Sequence, residues 1–383
     1  MGRRRFLRAG DARFFGNGDS PVTGERIGDS APIHALYLGG VESPPPMEKS
    51  TPMTPSRFLV TGGAGYVGSH VVLALLDAGH EVVVFDSLRT GHRAAVPPQV
   101  RFVHGDLADL PLLDSVLADG PWDGVLHFAA LSLVGESMAQ PLMYMSANGA
   151  LGFNLIDACV RHGVKRFVFS STAALFGSAG DAPIDENTNI DPGSPYGESK
   201  LVVERALYWA DKIHGLRSAC LRYFNAAGSD PLGRAGEDHR PETHLIPLVI
   251  DAALGRRDAL TLFGQDYPTP DGSCIRDYIH VSDLAQAHLA VLPLLKERSV
   301  TFNVGTGRGA SNLEVIRSVE RVSGLTVPWN LGARRPGDPA SLVASPALLM
   351  RETGWRPEYT ELDKTVATAL AWRQDHPVGY GDE

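Results

Sequence analysis

The sequence predicts an α/β fold: a doubly wound parallel sheet with a smaller α/β substrate lobe toward the C-terminal end. Three observations carry this. Short apolar runs alternate with helix-length amphipathic stretches through the first half of the chain. A glycine cluster separates the first apolar run from the first helical stretch. From residue 227 the alternation gives way to segments rich in Gly, Pro and charge.

The first unit is RFLVTGGAGYVGSHVVLALLDAGHEVVVFD, residues 57–86. Residues 57–60 read as a buried strand, Ser69 to Ala78 as a helix stopped by Gly79, and 81–85 as a second strand ending at Asp86. Gly62, Gly63, Gly65 and Gly68 fill the turn between strand and helix. A tight turn needs the positive φ that glycine adopts freely, and a pyrophosphate needs bare backbone and the amides of a helix N-terminus. With a strand before, a helix after and an acid about 20 residues on, this spacing predicts a Rossmann-like dinucleotide site. Two readings stand for Asp86: it accepts hydrogen bonds from a ribose diol, favouring NAD over NADP, or it caps the strand.

The alternation continues. Residues 100–109 read as strand then turn, with Asp106 facing the adenine, and 122–130 as a fourth strand. Residues 148–163 read as a helix and 165–171 as a fifth strand. Ligands in such sheets sit beyond the carboxyl ends of the strands. That directs attention to Gly63–Tyr66, Asp86, Ala129–Leu131 and Ser170–Thr172.

Composition bounds the function. The chain has 383 residues, 43% hydrophobic and 21% charged, which suits a globular protein with a sizeable core. A formal net charge of −9 without a basic tract argues against nucleic-acid binding. Three widely spaced cysteines suggest neither a disulfide framework nor a zinc site, and fit a reducing cytoplasm. The 13 histidines show no HExxH-type spacing, so no metal site is expected. No apolar run is long enough to span a membrane. The opening MGRRRFLRAG lacks the apolar stretch that an export signal needs, and 41–56 reads as a Pro-rich linker. Residues 1–54 are therefore expected to be a disordered extension, with Met53 an alternative start.

In SPYGESK (194–200), Tyr196 and Lys200 lie four apart at the start of a helix opened by Ser194 and Pro195. A free tyrosine has a pKa of about 10, too high for a base at neutral pH. Lowering it by ~3 units needs roughly 4 kcal/mol of preferential phenolate stabilisation. An ammonium on the same helix face and a cationic nicotinamide supply it together, and the Thr172 hydroxyl shares the proton.

In this order, TGGAGYVGSH, HFAA, FSSTAALFG, YGESK, LRYFN and CIRDYIHV resemble the extended short-chain dehydrogenase/reductases. GRRDALTLFGQDYPTPDG (255–272) and RDYIHVSDLAQAH (276–288) narrow the resemblance to the nucleotide-sugar 4-epimerases of that family, over about residues 57–380. The resemblance implies tightly bound NAD and interconversion of UDP-galactose and UDP-glucose through a 4-keto sugar, within galactose metabolism. It implies Tyr196 as the base, Lys200 as its activator and Thr172 as the proton-sharing hydroxyl. Cofactor contacts would come from Gly62, Gly65, Tyr66, Val67, Gly68, Asp86, Asp106 and Leu107 in the first sheet half. Phe128, Ala129, Ala130, Asn148, Ser170, Tyr223 and Phe224 would complete them. The UDP-sugar would meet Asn225, His244, Leu245, Phe263, Arg276, Arg335 and Asp338 besides Thr172 and Tyr196. Two readings stand for Phe302, before NVGTG: it would limit room at sugar C2 and favour unsubstituted hexoses, or it faces the sheet core. A homodimer through helices at about 148–162 and 196–214 is also implied, with Val202, Val203 and Leu207 on the pairing face.

The implied domains are a nucleotide-binding domain at 55–226 with a return segment at about 276–304, a UDP-sugar lobe at 227–275 and 305–372, and a tail at 373–383. Two departures weaken the expected hold on NAD: Leu131-Ser132 stand where the family often has a lysine, and Ala147-Asn148-Gly149 where it usually reads NNV. A sugar-nucleotide dehydratase would need an acid and base directly after Thr172, and a decarboxylase a Glu there; the chain has Ala173 and Ala174. A non-catalytic NAD-binding sensor would lose Tyr196 or Lys200, and both are present.

Overall fold

The computed structural model describes residues 55–177, 182–335 and 338–381. The extension expected at 1–54, Met53 included, lies outside the described residues. The chain runs β1 (Arg57–Thr61), α1 (Tyr66–Asp77), β2 (Glu81–Asp86), β3 (Arg101–His104), α2 (Leu110–Ala118), β4 (Gly124–His127), α3 (Leu151–Arg161), β5 (Arg166–Thr172), α4 (Pro195–His214) and β6 (Arg217–Tyr223). It continues through β7 (Asn225–Ala227), α5 (Leu245–Ala253), β8 (Leu260–Phe263), β9 (Ile275–His280), α6 (Val281–Ala290) and β10 (Val300–Val304). It closes with β11 (Gly309–Ser311), α7 (Asn312–Ser323), β12 (Trp329–Gly332), β13 (Ser341–Leu342), α8 (Ala347–Thr353) and α9 (Leu362–Asp375).

The main sheet has the order β10-β6-β5-β4-β1-β2-β3, with every pair parallel. Its strands read as continuous apolar runs because both faces are covered. Along β1 and β2, Phe58, Val60, Val82 and Val84 point into one core while Leu59, Val83 and Phe85 point into the other. The first core is closed by α1 and α6, the second by α2, α3 and α4. The order reverses between β1 and β4, and this switch point is where such sheets hold ligands.

Local chemistry sets the helix ends that matter for the site. Ser194 caps α4, its Oγ accepting from Gly197 N at 3.2 Å, and Pro195 occupies the first turn where its missing N–H costs nothing. Gly215 ends the helix at φ 69°. Residues 145–150 form a π-helical turn ahead of α3, where an uninterrupted α-helix was expected from 148.

The smaller lobe is built on β9. It pairs with β7 and β13 in parallel and with β11 antiparallel, while β8 and β12 pair separately. Helices α5, α7 and α9 close this lobe's apolar core. The segment at 276–304 was expected to return to the main sheet; only β10 does so, and β9 belongs to the small sheet.

The gate expected at Phe302 is overturned. Its side chain is 1% exposed and packs with Leu221, Val304, Leu349 and Trp355 in the sheet core. Strand β10 alternates, so one face goes to the core, and the ring takes it. Phe302→Ala is expected to cost about 3–5 kcal/mol of stability, as for other buried phenylalanines. Chemical denaturation measures the loss, and the ratio of kcat/KM for UDP-galactose to that for its N-acetylated analogue should stay at the wild-type value.

Candidate active site

The glycine turn brings the chain close to the sheet. Gly62 has φ +74°, and a Cβ there would lie 2.3 Å from Ala129 N. A Cβ on Gly68 would lie 2.1 Å from Gly62 O. The turn therefore presents bare backbone to a cleft of about 620 Å³ that opens at the switch point. Every expected cofactor residue except Asn148 and Phe224 lines this cleft.

Asp86 caps the strand end, as one of its two readings has it, and also faces the cleft. It lines the cleft, yet Oδ2 accepts from Ala64 N at 2.9 Å and Oδ1 from Leu88 N at 2.8 Å. Burial pushes its carboxyl up, and these two backbone donors pull it back. Each oxygen keeps a lone pair for a ribose hydroxyl. Asp106 Oδ1 accepts from Ala108 N at 2.8 Å, fixing the turn that carries Leu107 into the cleft.

Asn148 departs from its expected place. The π turn buries it, its Oδ1 accepting from Leu131 N at 2.8 Å and its Nδ2 donating to Leu131 O and Ser199 Oγ. It holds the 131–133 wall in place and does not line the cleft. Phe224 is buried with Leu175, Phe176 and Leu201 behind Thr172.

Strand β5 delivers Ser170 and Thr172 to the catalytic end, and α4 delivers Tyr196 and Lys200. Lys200 Nζ donates to Ser170 O at 2.8 Å and lies 4.9 Å from the Phe169 ring centroid. Ser170 Oγ and Tyr223 OH are 2.6 Å apart. Burial drives Lys200 down to about 7. Burial also raises Tyr196 above its ordinary value, against a hydrogen bond with Thr172 that lowers it. Behind the pair, burial and the charge of Lys200 push His127 down to about 3, so it stays neutral. The sequence expectation that Lys200 lowers Tyr196 thus meets a larger opposing effect, desolvation of both partners.

Sequence reasoning missed part of the wall. Tyr144 donates to Glu136 Oε2 at 2.7 Å, accepts from Leu133 N at 3.0 Å, and sets its ring edge-on to Tyr196 with centroids 6.4 Å apart. His239, Arg240 and Pro241 close the other side of the cleft, while His244 does not line it. No short motif marks these positions; they are assembled by tertiary packing.

Of the expected UDP-sugar residues, Asn225, His244, Leu245, Phe263, Arg276, Arg335 and Asp338 lie in the small lobe, and none of these seven lines the cleft. Asn225 and Arg276 lie on the paired strands β7 and β9. Arg276 reaches Asp338 Oδ1 at 3.0 Å and Pro339 O at 3.0 Å. The Arg335 guanidinium lies 4.2 Å from the Phe263 ring centroid. Leu245 packs into the lobe's core, and His244 Nδ1 lies 2.7 Å from Glu237 Oε1.

A sheet with its glycine turn at the switch point, carrying a buried Tyr–Lys pair on a helix beside it, defines a dinucleotide-dependent enzyme of the dehydrogenase/reductase type. Residues 58–305 match the family model described as "NAD dependent epimerase/dehydratase family", and the chain belongs to that family. It is 50% identical over 328 residues to the UDP-glucose 4-epimerase of Halalkalibacterium halodurans, covering 85% of this chain and 98% of that protein. A UDP-glucose 4-epimerase from Brucella ovis, solved with NAD, superimposes with a TM-score of 0.80 at 44% identity, over 82% of this chain and 98% of that one. The Bifidobacterium longum enzyme, solved with NAD+ and UDP, does so with a TM-score of 0.80 at 36% identity, over 85% and 100%. Among the described residues no helix is long and apolar enough to cross a membrane.

The buried ammonium has a stability consequence. Lys200 has a folded pKa of about 7, below its ordinary 10.5, so the folded chain binds fewer protons than the unfolded chain between those values. Stability therefore rises with pH across that window, by up to about 1.4 kcal/mol per unit from this group. Lys200→Met abolishes the contribution. The stability difference between wild type and Lys200→Met should shift toward wild type from pH 7 to 10, which denaturation at several pH values measures.

Proposed function

We propose that this chain interconverts UDP-glucose and UDP-galactose by reversible oxidation at C4, using NAD that is regenerated within each turnover. The observation that carries the reading is the Tyr196–Lys200–Thr172 group, buried at the carboxyl end of β5 against a cleft floored by the glycine turn. The cleft fits NAD: bare backbone at Gly62 and Gly68 for the pyrophosphate, and an Asp86 carboxylate with free lone pairs for the adenosine ribose. When bound, NAD takes up and returns the C4 hydrogen with its electron pair and adds a positive charge to the cleft.

The chain's own residues move the proton. Tyr196 accepts the 4-hydroxyl proton as C4 is oxidised to the ketone, and returns it when the ketone is reduced from the opposite face. Net redox is zero, and only the configuration at C4 changes. Thr172 shares the hydrogen bond to the reacting oxygen. Lys200 supplies the cation that favours the phenolate over the phenol. Arg276 and Arg335 offer planar forks for a diphosphate, and Phe263 a ring for uracil. Elimination is disfavoured, because Ala173 and Ala174 follow Thr172 and methyl groups carry no protons.

Two copies of the chain pair, in this reading, through α3 and α4. Val203 and Leu207, expected on the pairing face, are buried in the chain's own core. The same helices instead expose Phe153, Tyr208, Trp209 and Ile213, large apolar groups suited to a second copy. Trp209→Glu should shift the sedimentation mass from dimer to monomer; an unchanged mass places the interface elsewhere.

Incubation with UDP-galactose should yield UDP-glucose. Tyr196→Phe should retain NAD at wild-type stoichiometry and lose roughly 10²–10⁴-fold in kcat, since it removes only the proton carrier. Wild-type turnover by that variant would refute the assignment of the base.

A further inference from the structure

The segment Glu237-Asp-His239-Arg-Pro-Glu242-Thr-His244 folds so that four side chains face one point. One donor atom from each of Glu237, His239, Glu242 and His244 lies within 4.8 Å of all the others. Glu237 Oε1 is 2.7 Å from His244 Nδ1 and 3.3 Å from His239 Nδ1. Glu242 completes the ring, with Oε1 3.3 Å from His244 Nδ1 and Oε2 3.7 Å from His239 Nδ1. Four donors held tetrahedrally by bonds of about 2.0–2.2 Å stand about 3.3–3.6 Å apart. The observed separations bracket that spacing.

A second observation points the same way. Glu237 is 5% exposed, and its Oε1 is buried without a hydrogen bond, as are Nδ1 of His239 and Nδ1 of His244. Buried polar atoms almost always find partners. These three approach one another closely yet miss hydrogen-bonding alignment, as donors do when they aim at a common centre. Charge agrees. Arg373 bridges Glu242 Oε2 at 3.5 Å and Asp251 Oδ2 at 3.2 Å. Setting Arg373 against Asp251 leaves the two carboxylates of the cluster for a divalent ion to balance. The competing state balances them with protons on both imidazoles.

We infer that Glu237, His239, Glu242 and His244 form a structural site for a divalent transition-metal ion, with Zn2+ the best match. Imidazole nitrogen with carboxylate oxygen at four-coordinate spacing suits zinc, whereas calcium and magnesium take more oxygen donors. Four protein donors close the site, so the ion acts on structure. The His239 ring stands edge-on to Tyr66 at the start of α1, with centroids 6.0 Å apart, and His244 is the residue directly before α5. The ion ties the small lobe's first helix to the wall of the cofactor cleft.

The test uses full-length holoenzyme carrying no histidine tag, dialysed against a small excess of Zn2+. Elemental analysis should give one zinc per chain, and anomalous scattering at the zinc edge should place it among these four side chains. The double variant Glu237→Gln, His244→Ala should bind at least about tenfold less zinc. A zinc content equal in wild type and variant overturns the inference. So does an anomalous peak at a cysteine or another histidine, and so does a wild type that binds none. The wild-type map decides the question even where the variant fails to fold.

Discussion

The cleft depends on how closely the first turn approaches the sheet. Gly62 and Gly68 sit where any side chain would overlap backbone of β4's end or of the turn itself. That contact cannot relax, because what it meets is main chain. The turn is also tied from the other side. Asp86 at the end of β2 accepts from Ala64 N, and His92 N donates to Ala64 O. The approach packs α1 tightly against β1 and leaves backbone amides bare at the helix start, the arrangement a pyrophosphate requires. Cofactor placement and core packing are here one constraint.

The same closeness governs the chemistry. Tyr196 and Lys200 are buried beside neutral His127 and the Phe169 ring, so neither charged form is favoured by water. Desolvation lifts the phenol and depresses the ammonium, and the direct Tyr–Lys attraction assumed from a four-residue spacing is not the dominant effect. A poorly solvated lysine near neutral pKa is sensitive to any added charge in the cleft. The protonation of the pair therefore responds to what occupies the cleft.

What was legible in the sequence follows from range. The glycine turn, the Tyr–Lys spacing and the Ser194-Pro195 helix start are local; the last two stand where they are read, while the first helix begins at Tyr66, three residues before the expected Ser69, and takes Gly68 into its first turn. The main sheet was legible because doubly covered parallel strands leave apolar runs. Partner choice was not legible. Strand β9, with Arg276, Asp277 and His280 among its six residues, carries no signal of its partners, and it pairs with β7, β11 and β13 in the small sheet. Phe302 likewise looked free to face a sugar, but the face of a strand is settled by which sheet it joins. Asn148 was misplaced because a π turn shifts helical register by one residue, and no composition signal announces it.

The cluster at 237–244 shows the opposite failure, a local pattern that was overlooked. A search for pairs spaced along one helix turn assumes regular backbone, and this segment is irregular until His244. In an irregular loop, Glu237 and His239 meet Glu242 and His244 because the chain bends at Arg240 and Pro241, which line the cofactor cleft. The fold-back that converges the donors is thus the one that builds the cleft wall. The cluster's segment and the cleft wall share His239, Arg240 and Pro241, on the side of the cleft away from the Tyr196–Lys200 pair.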